Sequence, residues 1–192
     1  MTVRPDVVRA ARLQIVAAGS VLSRHRLILP GEGNLSVKCD GTSLVVTPAG
    51  TDKARLEPGQ LIVADFESQE LPPRASSELR VHLEVYRQHP GVRAVVHAHP
   101  PRVQALDTMG REPRCSLLLE AQALLGAVGR VRALSPGSRE LAVSVAEKIG
   151  DAPVCVMARH GALAVASSMD RAILRMLLLE RLAGLTLAAC GR

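Results

Sequence analysis

Aromatic side chains are almost missing from this chain: its 192 residues include one Tyr, one Phe and no Trp. The core has to be assembled from Val, Leu, Ile, Ala and Met instead. Few ring faces remain on which nucleobases can stack, which counts against a single-strand nucleic-acid binder. Paired cysteines are missing too. Cys39, Cys115, Cys155 and Cys190 are widely spaced with no C-x-x-C pair, so neither a zinc knuckle nor a redox motif is suggested. Cys155, in an apolar run, reads as a small buried hydrophobe. No stretch reaches the roughly 18–20 uninterrupted apolar residues that span a bilayer. The N-terminus carries several Arg among apolar residues and lacks the continuous apolar segment of a signal peptide. These absences lead us to expect a soluble, cytoplasmic protein that engages neither membrane nor nucleic acid.

What is present suits one compact domain over residues 1–192, without repeats or linkers. The net charge of +6 comes mostly from arginines scattered along the chain. They read either as a solvated basic surface or as a field that attracts small anions. No basic cluster marks a nucleic-acid face.

Helical periodicity over 5–26 sets Val8, Ala11, Ile15, Ala18 and Leu22 on one face, with Pro5 and Asp6 as start signals. Strands are predicted at 34–38 and 43–48, joined by the turn Cys39-Asp40-Gly41-Thr42, and again at 61–65. A helix capped by Ser76 or Ser77 runs to residue 88. The β-branched run 93–99 reads as a strand leading into Pro100-Pro101, where a further helix begins. Residues 114–136 fit strand or helix. A helix over 138–150, two strands within 152–166 broken at His160-Gly161, and a long closing helix over 169–189 complete the chain. Some strands are joined by hairpins and others through helices, which implies an α/β fold: a mixed, mainly antiparallel sheet between helical layers. The apolar residues of the last helix spread around most of its circumference, as in a helix covered on several sides.

His97 and His99 sit two apart on a strand, so both rings leave the same face and can grip one divalent ion. The prolines end the strand there, which predicts a position at a sheet edge. His160 is the third candidate. Alone it reads as a turn histidine beside a glycine, but three neutral imidazoles leave a metal with an open position, as catalytic sites require. Zinc is the first expectation, and imidazole also suits other transition metals. Glu78 reads either as a first-turn acid favoured by the helix dipole, or as a general base or displaceable fourth ligand. His82, one turn later, reads as a residue behind the ligands or on the helix surface. Pro30-Gly31-Glu32-Gly33-Asn34, Thr47-Pro48-Ala49-Gly50-Thr51 and Ser76-Ser77 each offer free N–H groups or hydroxyls for an anion.

Together, GNLSV, TPAG, SSELRVH, AVVHAHP and RHGALAV occur in the order and rough spacing of the class II aldolase/adducin family, and the resemblance covers about residues 8–185. It implies a single-domain three-layer α/β/α sandwich, commonly assembled as a homotetramer with active sites between subunits. It implies a divalent metal (zinc, with manganese or cobalt as alternatives) on His97, His99 and His160, with Glu78 as catalytic acid/base. Gly33, Asn34, Gly50, Ser76 and Ser77 are implied to hold a phosphate.

The activity implied is aldol cleavage of a ketose 1-phosphate to dihydroxyacetone phosphate and an aldehyde, through a metal-stabilised enediolate. Sugar-phosphate 4-epimerases, dehydratases and decarboxylases are the alternatives on the same scaffold. A non-enzymatic adducin-like interaction domain predicts loss of the ligand histidines, and all three are present. Two departures stand out. Fuculose-type aldolases of the family use a tyrosine as proton donor from a neighbouring subunit. The comparable region here is Cys115-Ser116-Leu117-Leu118, and Glu120 is the only substitute suggested. Glu32 occupies a phosphate loop where a small or hydroxyl residue is usual, so it has either to point away or to disfavour a phosphate.

Overall fold

The computed structural model describes residues 4–66, 68 and 70–190. In chain order the elements are α1 (Pro5–Arg24), β1 (Asn34–Lys38), β2 (Ser43–Val46), β3 (Ile62–Asp65), α2 (Leu79–Gln88), β4 (Ala94–Ala98), α3 (Pro101–Thr108), α4 (Leu119–Leu124), β5 (Gly129–Val131), α5 (Arg139–Asp151), β6 (Val154–Met157), β7 (Gly161–Ala166) and α6 (Met169–Cys190). The expected closing helix and the two strands flanking the His160 turn are all formed. Residues 114–136 resolve into a 3₁₀ turn at Cys115–Leu117, then α4, then β5.

The seven strands lie in the order β3-β2-β1-β4-β7-β6-β5, and every pairing is antiparallel except β5 with β6. The β1–β2 hairpin is set by Asp40, whose Oδ1 accepts the N–H groups of Thr42 (2.9 Å) and Ser43 (2.8 Å). Side chains alternate across the sheet with period two. Leu35, Val45, Val96, Val156 and Ala164 face a core shared with α1, α3, α4 and α6. Leu44, Val46, Val95, Cys155 and Leu163 face the opposite core, built on α2 and α5. Two cores on one sheet make the three-layer α/β/α sandwich. Within α6, Met176, Leu179, Leu182 and Ala183 are fully buried while Leu174 and Leu185 stay exposed.

Two expectations are corrected. The histidine pair is not at a sheet edge: β4 is the fourth of seven strands, and the site opens beyond its C-terminal end. The prolines stop the strand without moving it outward. The helix expected from Ser76 begins at Leu79, because residues 76–81 form a tight turn of i to i+3 bonds. In it the Leu79 N–H donates to Ser76 O (3.0 Å) and the Val81 N–H to Glu78 O (2.9 Å).

Candidate metal centre

β4 carries His97 as the register partner of Asn34 on β1 and of Leu163 on β7, so its ring leaves the face that α2 covers. His99, two residues on, follows onto the same side. His160 ends the short turn between β6 and β7. The three rings stand edge to face, with centroids 4.9 to 5.3 Å apart. One ligand-type nitrogen from each lies within 4.8 Å of the others. Gly161 makes this approach possible: a Cβ there would stand 2.5 Å from Ala98 O and 2.7 Å from His99 Cδ2.

The hydrogen bonds set the tautomers. His97 Nδ1 lies 3.0 Å from Ala162 O, an acceptor only, so Nδ1 carries the proton. His99 Nδ1 lies 3.4 Å from a carboxylate oxygen of Glu32, which calls for the same tautomer. Both Nε2 atoms are then lone pairs, 3.2 Å apart. The Glu78 carboxylate stands 3.3 Å from His97 Nε2 and 3.2 Å from His160 Nε2. Acceptors facing acceptors at this range require positive charge between them, which a shared proton or a metal ion can supply. Ligands at ~2.0–2.1 Å in tetrahedral array stand about 3.3–3.4 Å apart, close to the spacing of the His97 and His99 nitrogens. The donor set therefore fits a divalent metal on His97, His99 and His160.

Burial pushes the pKa of His99 down, with His97 adding to the effect and Glu32 opposing it. Burial likewise lowers His160 to about 4, reinforced by His97. Both imidazoles thus stay neutral and ligand-competent. For Glu78, burial pushes upward, but the hydrogen bond and charge of His97, then His160 and Asn34, hold its pKa down at about 2. It is a carboxylate at neutral pH, with Asn34 Nδ2 donating to Oε2 at 3.0 Å.

Each loop expected to hold an anion lies beside the next. Gly31 N–H donates to Thr51 O (3.3 Å), and Ala49 N–H to Arg74 O (2.8 Å) beside a bridge between Pro48 and Ala75. Gly33, at φ +67°, is required where it sits, since a Cβ would approach His97 O to 2.6 Å. Ser76 Oγ accepts the Glu78 N–H (3.2 Å), and exposed Ser77 packs against Gly137. Gly50 takes φ +65° with open space around it.

Of the two positions read for His82, the structure takes the one behind the ligands and not the helix surface: it is fully buried, and its Nδ1 contacts Ser36 Oγ (2.7 Å). Tyr86, the chain's single tyrosine, is buried and donates to Ser36 O (3.1 Å), so it is held away from substrate. Glu120 is exposed on α4, whose Ala121 packs in the core on the other side of the sheet from Glu78. Within this chain it does not reach the site. Glu32 neither points to solvent nor lies free: one oxygen accepts the Leu29 N–H (2.9 Å) and the other faces His99. Among the described residues no helix is long and apolar enough to cross a membrane.

The fold and the motifs have close counterparts. The crystal structure of L-fuculose-1-phosphate aldolase from Thermus thermophilus superposes with a TM-score of 0.85, at 33% identity over 96% of this chain and 94% of that one. The 3,4-dihydroxyphthalate decarboxylase of Arthrobacter keyseri is 32% identical over 92% of this chain and 77% of its own length. The methylthioribulose-1-phosphate dehydratase of Acidiphilium cryptum is 28% identical over 91% and 89%. These relatives are named for three different net reactions. What they share with this chain is the scaffold, and the Class II Aldolase and Adducin N-terminal domain family matches residues 13–187. With this match over nearly the whole chain, the protein belongs to the class II aldolase/adducin family.

Proposed function

We propose that this protein is a divalent-metal-dependent lyase that cleaves a ketose 1-phosphate to dihydroxyacetone phosphate and an aldehyde. The observation that carries the reading is the convergence of two imidazole lone pairs, His160 Nε2 and an ionised carboxylate on one point. A metal held by His97, His99 and His160, with zinc the first expectation, supplies Lewis acidity toward the carbonyl and hydroxyl oxygens of the substrate. Glu78 holds or moves the proton at the carbon freed when the C3–C4 bond breaks, its carboxylate kept ionised and oriented by Asn34. Gly33, Asn34, Gly50, Ser76 and Ser77 bind the phosphate through backbone N–H groups and hydroxyls. As the aldehyde forms, the C4 hydroxyl gives up its proton, and the group that accepts it comes from outside this chain's own site, since Tyr86 and Glu120 are both remote. A neighbouring subunit of a homotetramer is the source we favour. The free cysteines Cys39, Cys115 and Cys155 suit a reducing, cytoplasmic setting.

A second reading is decarboxylation on the same scaffold. Two observations favour it: the 32% identity to a dihydroxyphthalate decarboxylase, and a carboxylate, Glu32, anchored in the loop that would receive a phosphate. The test measures metal in protein purified without added metal or chelating resin, and dihydroxyacetone phosphate released from a panel of ketose 1-phosphates. About one metal per chain with release is the expected result. Metal without release from any of the panel transfers the reading to decarboxylation, dehydration or epimerisation. No metal, and none regained on titration, overturns it.

A further inference from the structure

His97 and His99 are held by the strand that bears them, but His160 lies outside any strand, on the turn Ala158-Arg159-His160. That turn is strained: Arg159 has φ +57°, a left-handed conformation that side chains other than glycine rarely adopt. Something has to hold it. The Arg159 N–H donates to Asp107 Oδ2 at 2.8 Å. The Asp107 side chain is only 5% exposed, and its other oxygen takes Arg130 Nε (3.2 Å) and Nη2 (2.7 Å). One turn earlier on the same helix, Gln104 Nε2 donates to His160 O at 2.8 Å. Both contacts come from α3, and α3 starts at Pro101, two residues after His99. Its first turn is pinned in its own right: buried Glu180 of α6 accepts the N–H groups of Arg102 (3.0 Å) and Val103 (3.2 Å). The helix that leaves the first two ligands therefore reaches back to grip the backbone on either side of the third.

We propose that Asp107 and Gln104 are positioning residues of the metal centre, holding the left-handed turn at Arg159 so that His160 is aimed at the ion. They touch neither metal nor substrate; they act through the backbone of residues 159 and 160. The inference rests on the metal reading above, and adds that the geometry of the third ligand is imposed from α3. Partners of this kind, one step behind the ligands, typically govern metal affinity 10–100-fold.

The test uses the metal-stripped full chain. Zn²⁺ affinity is measured by competition with a chromogenic chelator, Co²⁺ absorption reports coordination geometry, and the melting temperature of the metal-free protein reports folding. Asp107→Ala and Gln104→Ala are expected to weaken Zn²⁺ binding, by roughly 10–100-fold for Asp107→Ala, and to change the Co²⁺ spectrum. Val145→Ala, a truncation in the α5 core away from the site, should lower the melting temperature and leave affinity unchanged. The decisive variant is Arg159→Gly, because glycine adopts the left-handed conformation without penalty. Added to Asp107→Ala it should restore part of the lost affinity, which a general loss of packing would not permit. Wild-type affinity and spectrum in both alanine variants would overturn the proposal, as would a loss that Arg159→Gly does not relieve. If Asp107→Ala fails to fold, Asp107→Asn and Gln104→Ala carry the same comparison. Failure of the metal reading itself is distinct: the parent protein would bind no Zn²⁺, and this proposal would fall with it.

Discussion

Glu32 and His99 form a carboxylate–imidazole pair, with Glu32 Oε1 3.4 Å from His99 Nδ1. The carboxylate that looked misplaced in a phosphate loop is thus bound to a candidate metal ligand. Its other oxygen is tied to the backbone of Leu29, so the pair is anchored to the loop. Glu32→Ala is expected to weaken metal binding by roughly 10–100-fold, and Glu32→Gln by less, since an amide oxygen can still accept from Nδ1. Chelator competition on the two variants checks this; equal affinities for both variants and the parent would detach Glu32 from the site.

The ligand set predicts a division of labour. His97→Ala and His160→Ala should lose both bound metal and turnover. Glu78→Gln keeps the shape and the Asn34 contact but cannot take a proton, so it should retain metal while turnover falls by at least ~10²-fold. Metal analysis and product assays on the same preparations separate the two roles. Full activity in Glu78→Gln would remove Glu78 as the base.

Two glycines are predicted to be irreplaceable, for different reasons. At Gly161 an added Cβ would press on Ala98 O, on His99 Cδ2 and, at 3.2 Å, on His97 Cε1, so Gly161→Ala should abolish metal binding with the fold largely kept. Gly19 lies inside α1, where alanine is ordinarily worth about 1 kcal/mol of helix stability. Here its Cβ would sit 2.4 Å from Lys53 O, so Gly19→Ala should instead destabilise the protein by about 1–3 kcal/mol, read by denaturant unfolding.

His82 predicts the response to acid. Burial, reinforced by His97 and opposed by Glu78, holds its pKa down at about 3, against 6.5 when exposed in the unfolded chain. Between those values the unfolded state binds the extra proton. Stability is therefore lost as pH falls below about 6.5, with this one group contributing up to ~1.4 kcal/mol per pH unit. Melting temperatures of metal-free protein between pH 7 and pH 5 should decline, and less steeply in His82→Gln. Parallel declines in the two proteins would assign the acid sensitivity to other groups.

Most of the architecture was legible in the chain because it depends on local periodicity. The alternation in β1, β2 and β4, the turn chemistry of Asp40 and the prolines before α3 act over a few residues. His97 and His99 were legible as a pair, since spacing on a strand fixes which side chains share a face, whereas His160, Glu78 and the anion loops were single candidates that only the family resemblance joined into one site. Residues 114–136 were not, because a short apolar run serves strand or helix equally until its burial partner is known.

The sequence by itself determined most of the element types, the layering of helices on a mixed sheet and which residues are able to ligate a metal, because these follow from propensity, period and side-chain chemistry. Only the tertiary structure decided that β4 is central, that Glu32 pairs with His99, that His82 and Tyr86 are buried against Ser36, and that Asp107 and Gln104 bond the backbone of Arg159 and His160. Each of these joins residues far apart in the chain. Such contacts arise from how the layers pack and from where buried polar groups find partners, and no local pattern records that.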